Sequence, residues 1–208
     1  MKKLLLTAFE PFAGESINPS TEAARQMERI DFPNARVRVA ELPIDRHRAV
    51  DIALELLRED HPDVVIMLGE ASNRFRINPE RVAINVDDFR IPDNSGNQPK
   101  DEPIVEGGPV AYFSTLPIRS ITERIVKAKI PAAISNSAGA YLCNRLFYSV
   151  MHTISLERLP SIAGFIHLPN LHEQAIAKYP DVPSLSRESI VEAVRLAIEV
   201  CLVAPDVS

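Results

Sequence analysis

The sequence predicts an α/β protein: a three-layer α/β/α sandwich around a central, mostly parallel twisted sheet. Three observations predict it. Short apolar runs alternate with amphipathic stretches along the chain, as strands alternate with helices in such folds. The runs at residues 3–8, 63–68 and 162–167 lack a polar alternation, as strands buried on both faces do. With 208 residues, 46% of them hydrophobic, there is material for one substantial core. One domain over residues 1–208 is therefore expected.

Taken in order, residues 3–8 read as a buried strand, followed by a turn-rich loop over residues 9–14. Asn18 and Pro19 then form a helix start, an N-cap followed by proline at the first helical position. Ala23, Ala24, Met27 and Ile30 supply that helix's apolar stripe. Residues 36–42 alternate Arg36 and Arg38 with Val37 and Val39, a half-buried strand. Residues 46–58 read as a helix with Val50, Ala53, Leu54 and Leu57 on one side, and 63–68 as a strand ending before Gly69.

Residues 70–110 are less regular and rich in Asn, Asp, Pro and Gly, with 81–86 able to extend. So long a stretch without periodicity is usually functional or an interface. A helix at 118–128, a short strand at 132–135, a helix at 140–153, a strand at 162–167 and a helix at 186–203 complete the chain. In such sheets, sites form where strand ends meet the following loops. The junctions 8–14, 68–80 and 136–143 stand out.

The net charge of −5 argues against nucleic acid as a partner. No apolar run approaches the ~20 residues that span a bilayer, so no membrane partner is expected. The apolar start of the chain is interrupted by Glu10 and Pro11 before a leader's apolar core has formed. A cytoplasmic location is the resulting expectation. Cys143 and Cys201 are the two cysteines, and a reducing compartment favours free thiols. Neither Cys-x-x-Cys nor His-x-x-x-His occurs, so no metal site is expected. Seventeen prolines against seven glycines suggest fair thermal stability.

Cys143 lies where a strand runs through Asn136-Ser137-Ala138-Gly139 into a helix. A thiol in the first turn of a helix meets unpaired N–H groups and the positive end of the dipole, which favour the nucleophilic thiolate. Taken alone, Cys143 fits better as a small apolar core residue beside Leu142, Leu146, Phe147 and Val150, since free cysteines are usually buried. Cys201 continues the stripe of Val194, Ala197 and Ile198 and reads as structural. His167 closes a buried strand at the edge where sites form, whereas His47, His61, His152 and His172 read as surface or helix-end residues. A Cys–His pair needs a third group to orient the imidazole. Glu80, Asp87, Asp88 and Asn144 all qualify by residue type. Arg145, next to the Cys143-Asn144 pair, either tunes the nucleophile or lies on the surface.

Four blocks carry a resemblance over nearly the whole chain. They are Phe9-Glu10-Pro11-Phe12 with Asn18-Pro19-Ser20; Glu80-Arg81-Val82-Ala83-Ile84-Asn85 with Arg90-Ile91-Pro92-Asp93-Asn94; Ala111-Tyr112-Phe113-Ser114-Thr115-Leu116-Pro117-Ile118; and Ser135-Asn136-Ser137-Ala138-Gly139 through Cys143-Asn144, then Gly164-Phe165-Ile166-His167-Leu168-Pro169. In this order and spacing the chain resembles the pyroglutamyl peptidase type I (pyrrolidone-carboxylate peptidase) family of cysteine peptidases.

The resemblance implies an omega peptidase that cleaves after an N-terminal pyroglutamyl residue through a thioester. It implies a triad of Glu80, Cys143 and His167, no cofactor, and a homo-oligomer, tetramer or dimer. It also implies a substrate pocket drawn from Phe9, Phe12, Asn18, Glu70 and Arg90, with Arg90 helping to hold the oxyanion. Ala8, Ala13 and the stretch Glu70-Ala71-Ser72-Asn73 depart from the family's usual glycine-rich loops. They leave room for an alternative: a pocket-altered or inactive homologue that binds another cyclic or blocked N-terminus.

Overall fold

Two hydrophobic cores, one on each face of a single sheet, organise the chain, and the alternation of side chains along each strand assigns residues to them. The structure is a computed structural model describing residues 1–12, 14–178 and 182–203; Ala13 lies outside the described residues. Strands β1 (Lys2–Phe9), β2 (Ala35–Leu42), β3 (Val64–Glu70), β4 (Asn78–Pro79) and β7 (Ile162–Leu168) form the sheet, in the order β2-β1-β3-β7-β4. The first four in that order run parallel, and β4 alone pairs antiparallel, with β7. Strands β5 (Val82–Ile84) and β6 (Ala111–Phe113) make a separate antiparallel pair.

Leu4, Leu6, Val64, Ile66, Ile162 and Ile166 face the first core, which is closed by α1 (Pro19–Met27), α3 (Ile118–Lys127) and α6 (Arg187–Val203). Leu5, Phe9, Val65, Met67, Ala163 and Phe165 face the second, closed by α2 (Arg48–Asp60) and α4 (Leu142–Glu157). Strands β8 (Asn170–Leu171) and β9 (Ser184–Leu185) flank the short α5 (His172–Ala177) beyond the end of β7. The result is the expected α/β/α sandwich.

Most elements fall within two residues of expectation. Asn18 caps α1, its Oδ1 accepting from the Ser20 N–H at 2.9 Å. On α2, Ala49 rather than Val50 reaches the core with Ala53 and Leu57. Residues 132–135 differ. They form no strand, only single bridges from Ala132 to Ile77 and from Ser135 to Glu80. The reason is Pro79: Ile77 and Arg81 donate to the Pro131 and Ser135 carbonyls, but Pro79, between them, has no N–H to give, so the parallel ladder breaks into two bridges. That edge segment nonetheless leads into the turn before α4, where Gly139 takes a φ of +79°, open to glycine without the strain of a Cβ.

Candidate active site

The carboxyl ends of β1, β3 and β7 converge with the start of α4. Cys143 is the second residue of α4, within its first turn. His167 is the penultimate residue of β7 and faces the second core, since it alternates with Ile166 and follows the face of Phe165. Its ring centroid is 4.7 Å from that of Phe165. Glu80 follows β4 and is completely buried; its N–H donates to the Phe165 carbonyl at 2.8 Å. Its Oε1 lies 2.7 Å from Nδ1 of His167.

Gly69 links the thiol to this pair. In the parallel β3–β7 ladder Gly69 is in register with His167, so the two residues point to the same face. A Cβ built on Gly69 would lie 2.9 Å from Sγ of Cys143 and 2.7 Å from the Phe165 ring. The thiol therefore occupies the space that a side chain at 69 would need. It sits over β3, one strand (about 4.8 Å) from the strand that carries His167.

The other candidates for the third group are engaged elsewhere. Asp87 is buried against Arg145 and Arg46. Asp88 is exposed, 3.5 Å from Lys100. Asn144 holds the backbone of the β5 region, receiving the Ile84 N–H at 3.0 Å and donating to the carbonyls of Ile84 and Val86. Arg145 is neither a surface residue nor a neighbour of the thiol. It is buried, ion-paired to Asp87, and donates to the Arg46 carbonyl at 2.6 Å. His152, expected at the surface, is half-buried and stacks on Tyr148.

Electrostatics run against the thiolate expected from the helix start. Burial pushes the Cys143 thiol from an ordinary 9.0 up to about 12, with the Glu80 charge adding and Arg74 opposing. A helix terminus contributes about 0.3–1 kcal/mol, less than one pKa unit, so desolvation wins. Burial likewise lowers His167 below 6.5 against the pull of Glu80, and Arg74 reinforces the lowering. For Glu80 burial acts upward, but the hydrogen bond and charge of His167, then a hydrogen bond from Ser135 and the charge of Arg74, hold the carboxyl below its usual value. The resting site is a thiol, a neutral imidazole and a carboxylate.

A cavity of about 110 Å³ opens beside the thiol. Phe9, Phe12, Ile44, Tyr141 and Leu142 give it apolar walls; Asn18, Glu70 and Ser72 are its polar groups. Asn18 is already committed to its cap and to the Glu10 carbonyl, 3.0 Å from its Nδ2. Glu70 accepts from Ser72 at 2.6 Å and Gln174 at 2.9 Å, and Lys178 lies 3.6 Å away. Arg90 is exposed and does not line the cavity, contrary to the expected contact. A roomier depression of about 540 Å³ near Tyr112 and Met151 is lined by no thiol, imidazole or carboxylate.

Three participants escaped the sequence reading: Arg74, Gly69 and Tyr141. Arg74 contacts Glu80 at 2.5 Å from within a polar loop. Tyr141 adjoins Cys143 and packs on Phe89 at 4.5 Å between centroids. Their only sequence signal is proximity to the strand-end junctions.

An α/β/α sandwich that sets a thiol, an imidazole and a carboxylate at the carboxyl edge of its sheet belongs to the class of cysteine-type hydrolases. The model of the pyroglutamyl peptidase family matches residues 2–204. A pyrrolidone-carboxylate peptidase of Vibrio vulnificus (strain YJ016) is 48% identical over 202 residues, covering 97% of this chain and 93% of the relative. One from Thermococcus onnurineus (strain NA1) is 46% identical over 202 residues, covering 97% of this chain and all of the relative (100%). The crystal structure of pyroglutamyl peptidase I from Bacillus amyloliquefaciens superposes with a TM-score of 0.94 at 42% identity, covering 99% of this chain and 97% of that one. The chain belongs to the pyroglutamyl peptidase family.

Proposed function

We propose that the chain is a cysteine exopeptidase, formed as one catalytic domain over residues 1–208, that hydrolyses the bond after an N-terminal pyroglutamyl residue. Cys143 is the nucleophile, His167 the base and Glu80 the group that orients the base. The observation that carries this reading is the 2.7 Å contact of the buried Glu80 with His167, beside a thiol that lines a small apolar cavity.

Because the resting thiol is protonated, attack and proton transfer are coupled: Nε2 of His167 takes the Sγ proton as sulfur bonds to the pyroglutamyl carbonyl carbon. Nδ1–H stays on Glu80, which balances the imidazolium. The developing oxyanion is held by N–H groups in the first turn of α4, which have no intrahelical acceptor. His167 returns the proton to the departing amine, and the C–N bond breaks. Water, deprotonated by His167, then cleaves the thioester and regenerates the thiol.

The cavity suits the acyl group. A pyroglutamyl terminus is a neutral lactam with no ammonium, so an apolar slot with few polar groups reads it. Phe9 and Phe12 flank the ring. Glu70, acceptor-only when ionised, uses a free lone pair for the lactam N–H. We place the enzyme in the cytoplasm as a homo-oligomer, tetramer or dimer. The exposed Phe75, Ile84 and Val110 on the irregular span support a subunit contact there, which light scattering tests.

The deciding assay is chromophore release from a pyroglutamyl amide, with prolyl and alanyl amides as controls. Turnover of the pyroglutamyl compound alone is expected. A folded wild-type chain inert toward it defeats this reading.

A further inference from the structure

The mechanism above gives Arg74 no task, yet its side chain meets both halves of the site. One guanidinium nitrogen lies 2.5 Å from Oε1 of Glu80, the same oxygen that meets His167. The other donates to the Ser137 carbonyl at 2.8 Å, in the turn that leads into α4 and Cys143. Oε2 of Glu80 is buried with no hydrogen-bond partner among the described residues. Arg74 and His167 thus hold the carboxylate through one shared oxygen, with the Ser135 hydroxyl also acting on it. Its terminal torsion has broad, shallow wells. With Arg74 gone, the imidazole and the Ser135 hydroxyl would still bear on it, but nothing would tie it to the turn at Ser137.

We propose that Arg74 is a positioning residue for the acyl transfer: it fixes Glu80 against His167 and ties that pair to the loop that carries Cys143. The proposal rests on the peptidase reading above. The fork geometry matters, because only a guanidinium meets the carboxylate and the Ser137 carbonyl with two separate nitrogens. The cation also acts on the base. His167 faces Glu80 and Arg74 on one side and the Cys143 thiol across β3, with Glu70 beyond the thiol. Arg74 opposes protonation of the imidazole directly, and it draws on the charge of Glu80 that would favour it. Its removal therefore makes His167 more basic.

The test compares Arg74→Gln and Arg74→Lys in the full chain, alone and with Glu80→Gln. Arg74→Gln is expected to lower kcat for the pyroglutamyl amide roughly 10- to 100-fold, with KM within about threefold. Arg74→Lys, keeping a cation without the fork, recovers part of the loss. The His167 titration midpoint, followed by NMR without substrate, moves up in Arg74→Gln. In the Glu80→Gln background, Arg74→Gln costs less than about threefold more, because Arg74 acts through Glu80.

An unmoved His167 midpoint overturns the proposal. So does a kcat within about threefold of wild type, or losses that multiply fully in the double variant. If Arg74→Gln melts too low to assay, Arg74→Lys and the titration below the melt decide. Wild-type inactivity counts against the peptidase reading. Wild-type turnover with an indifferent Arg74→Gln counts against this proposal alone, and the titration tests it in either case.

Discussion

The start of α4 and the end of α6 each hold a cysteine, and the contrast between them shows what makes a thiol chemically useful. Burial pushes both thiols up to about 12. Both sit on helices that pack against the same sheet, from opposite faces. Cys201 is 0% exposed among the apolar side chains of the first core. The charge of Lys2 bears on it and lowers the pKa less than burial raises it. Cys143 is partly open to a cavity, lies beside β3 one strand from His167, and begins a helix rather than ending one. Acidity does not separate the two. A neighbouring base, a reachable cavity and unpaired N–H groups do.

The sharpest way to break this comparison is to truncate each thiol. Cys143→Ala should lower turnover of a pyroglutamyl amide by roughly 10³-fold or more, since triad members act as a unit. Cys201→Ala should keep kcat within about twofold and cost about 1–2 kcal/mol of stability, read from denaturant melts, through the cavity it leaves. Equal activity losses in the two variants would erase the distinction.

Gly69→Ala tests the space beneath the thiol. Its Cβ would lie 2.9 Å from Sγ and 2.7 Å from the Phe165 ring. A displacement of the nucleophile by about an ångström spoils its alignment, so kcat should fall about 100-fold, with overpacking costing about 1–3 kcal/mol. A fully active Gly69→Ala protein would mean that Sγ does not work from this position.

Alkylation separates the two thiols in one tube. At neutral pH, iodoacetamide should label Cys143 in the native protein, His167 taking the thiol proton as sulfur attacks, and Cys201 only after unfolding, as read by peptide mass. Native labelling of Cys201 would mean that its core opens freely.

The smallest expected effect is in the pH profile. In the proposed mechanism His167 must be neutral to act, and its pKa is lowered from 6.5, so kcat/KM should rise through a midpoint below pH 6.5. With the thiol near 12, Cys143 should add no second limb below roughly pH 10. A limb near the ordinary thiol value of 9.0 would show a more acidic nucleophile than the buried one. Stability follows the same sign. The folded-state values of His167 and Glu80 are both depressed, so their contributions are complete above 6.5 and 4.5 respectively and are lost as the pH falls.

What could be read from sequence was local or linear. The Asn18-Pro19 cap and the small-residue turn before Cys143 each encode a nearby backbone choice, and each stands where expected; the strand expected to stop before Gly69 instead runs on through Glu70, carried by its ladder with β7. Bottom-up reading of the third group left Glu80 level with Asp87, Asp88 and Asn144. The resemblance alone singled it out, because sequence separation carries no information about which carboxylate a fold brings to an imidazole 87 positions away. The edge segment 132–135 failed as a strand because Pro79, which has no N–H, falls where its ladder needs a donor, and only tertiary pairing sets Pro79 opposite it.

The sequence by itself determined the layered α/β/α architecture, through hydrophobic periodicity, and the family, through four ordered motif blocks. Only the tertiary structure decided the charge state of the thiol, the partners of Arg145 and Glu80, the absence of Arg90 from the cavity and the role of Gly69 as room for sulfur. Periodicity is written along the chain. Desolvation, pairing and steric room depend on distances through space, and those exist only once β3, β7 and α4 have packed.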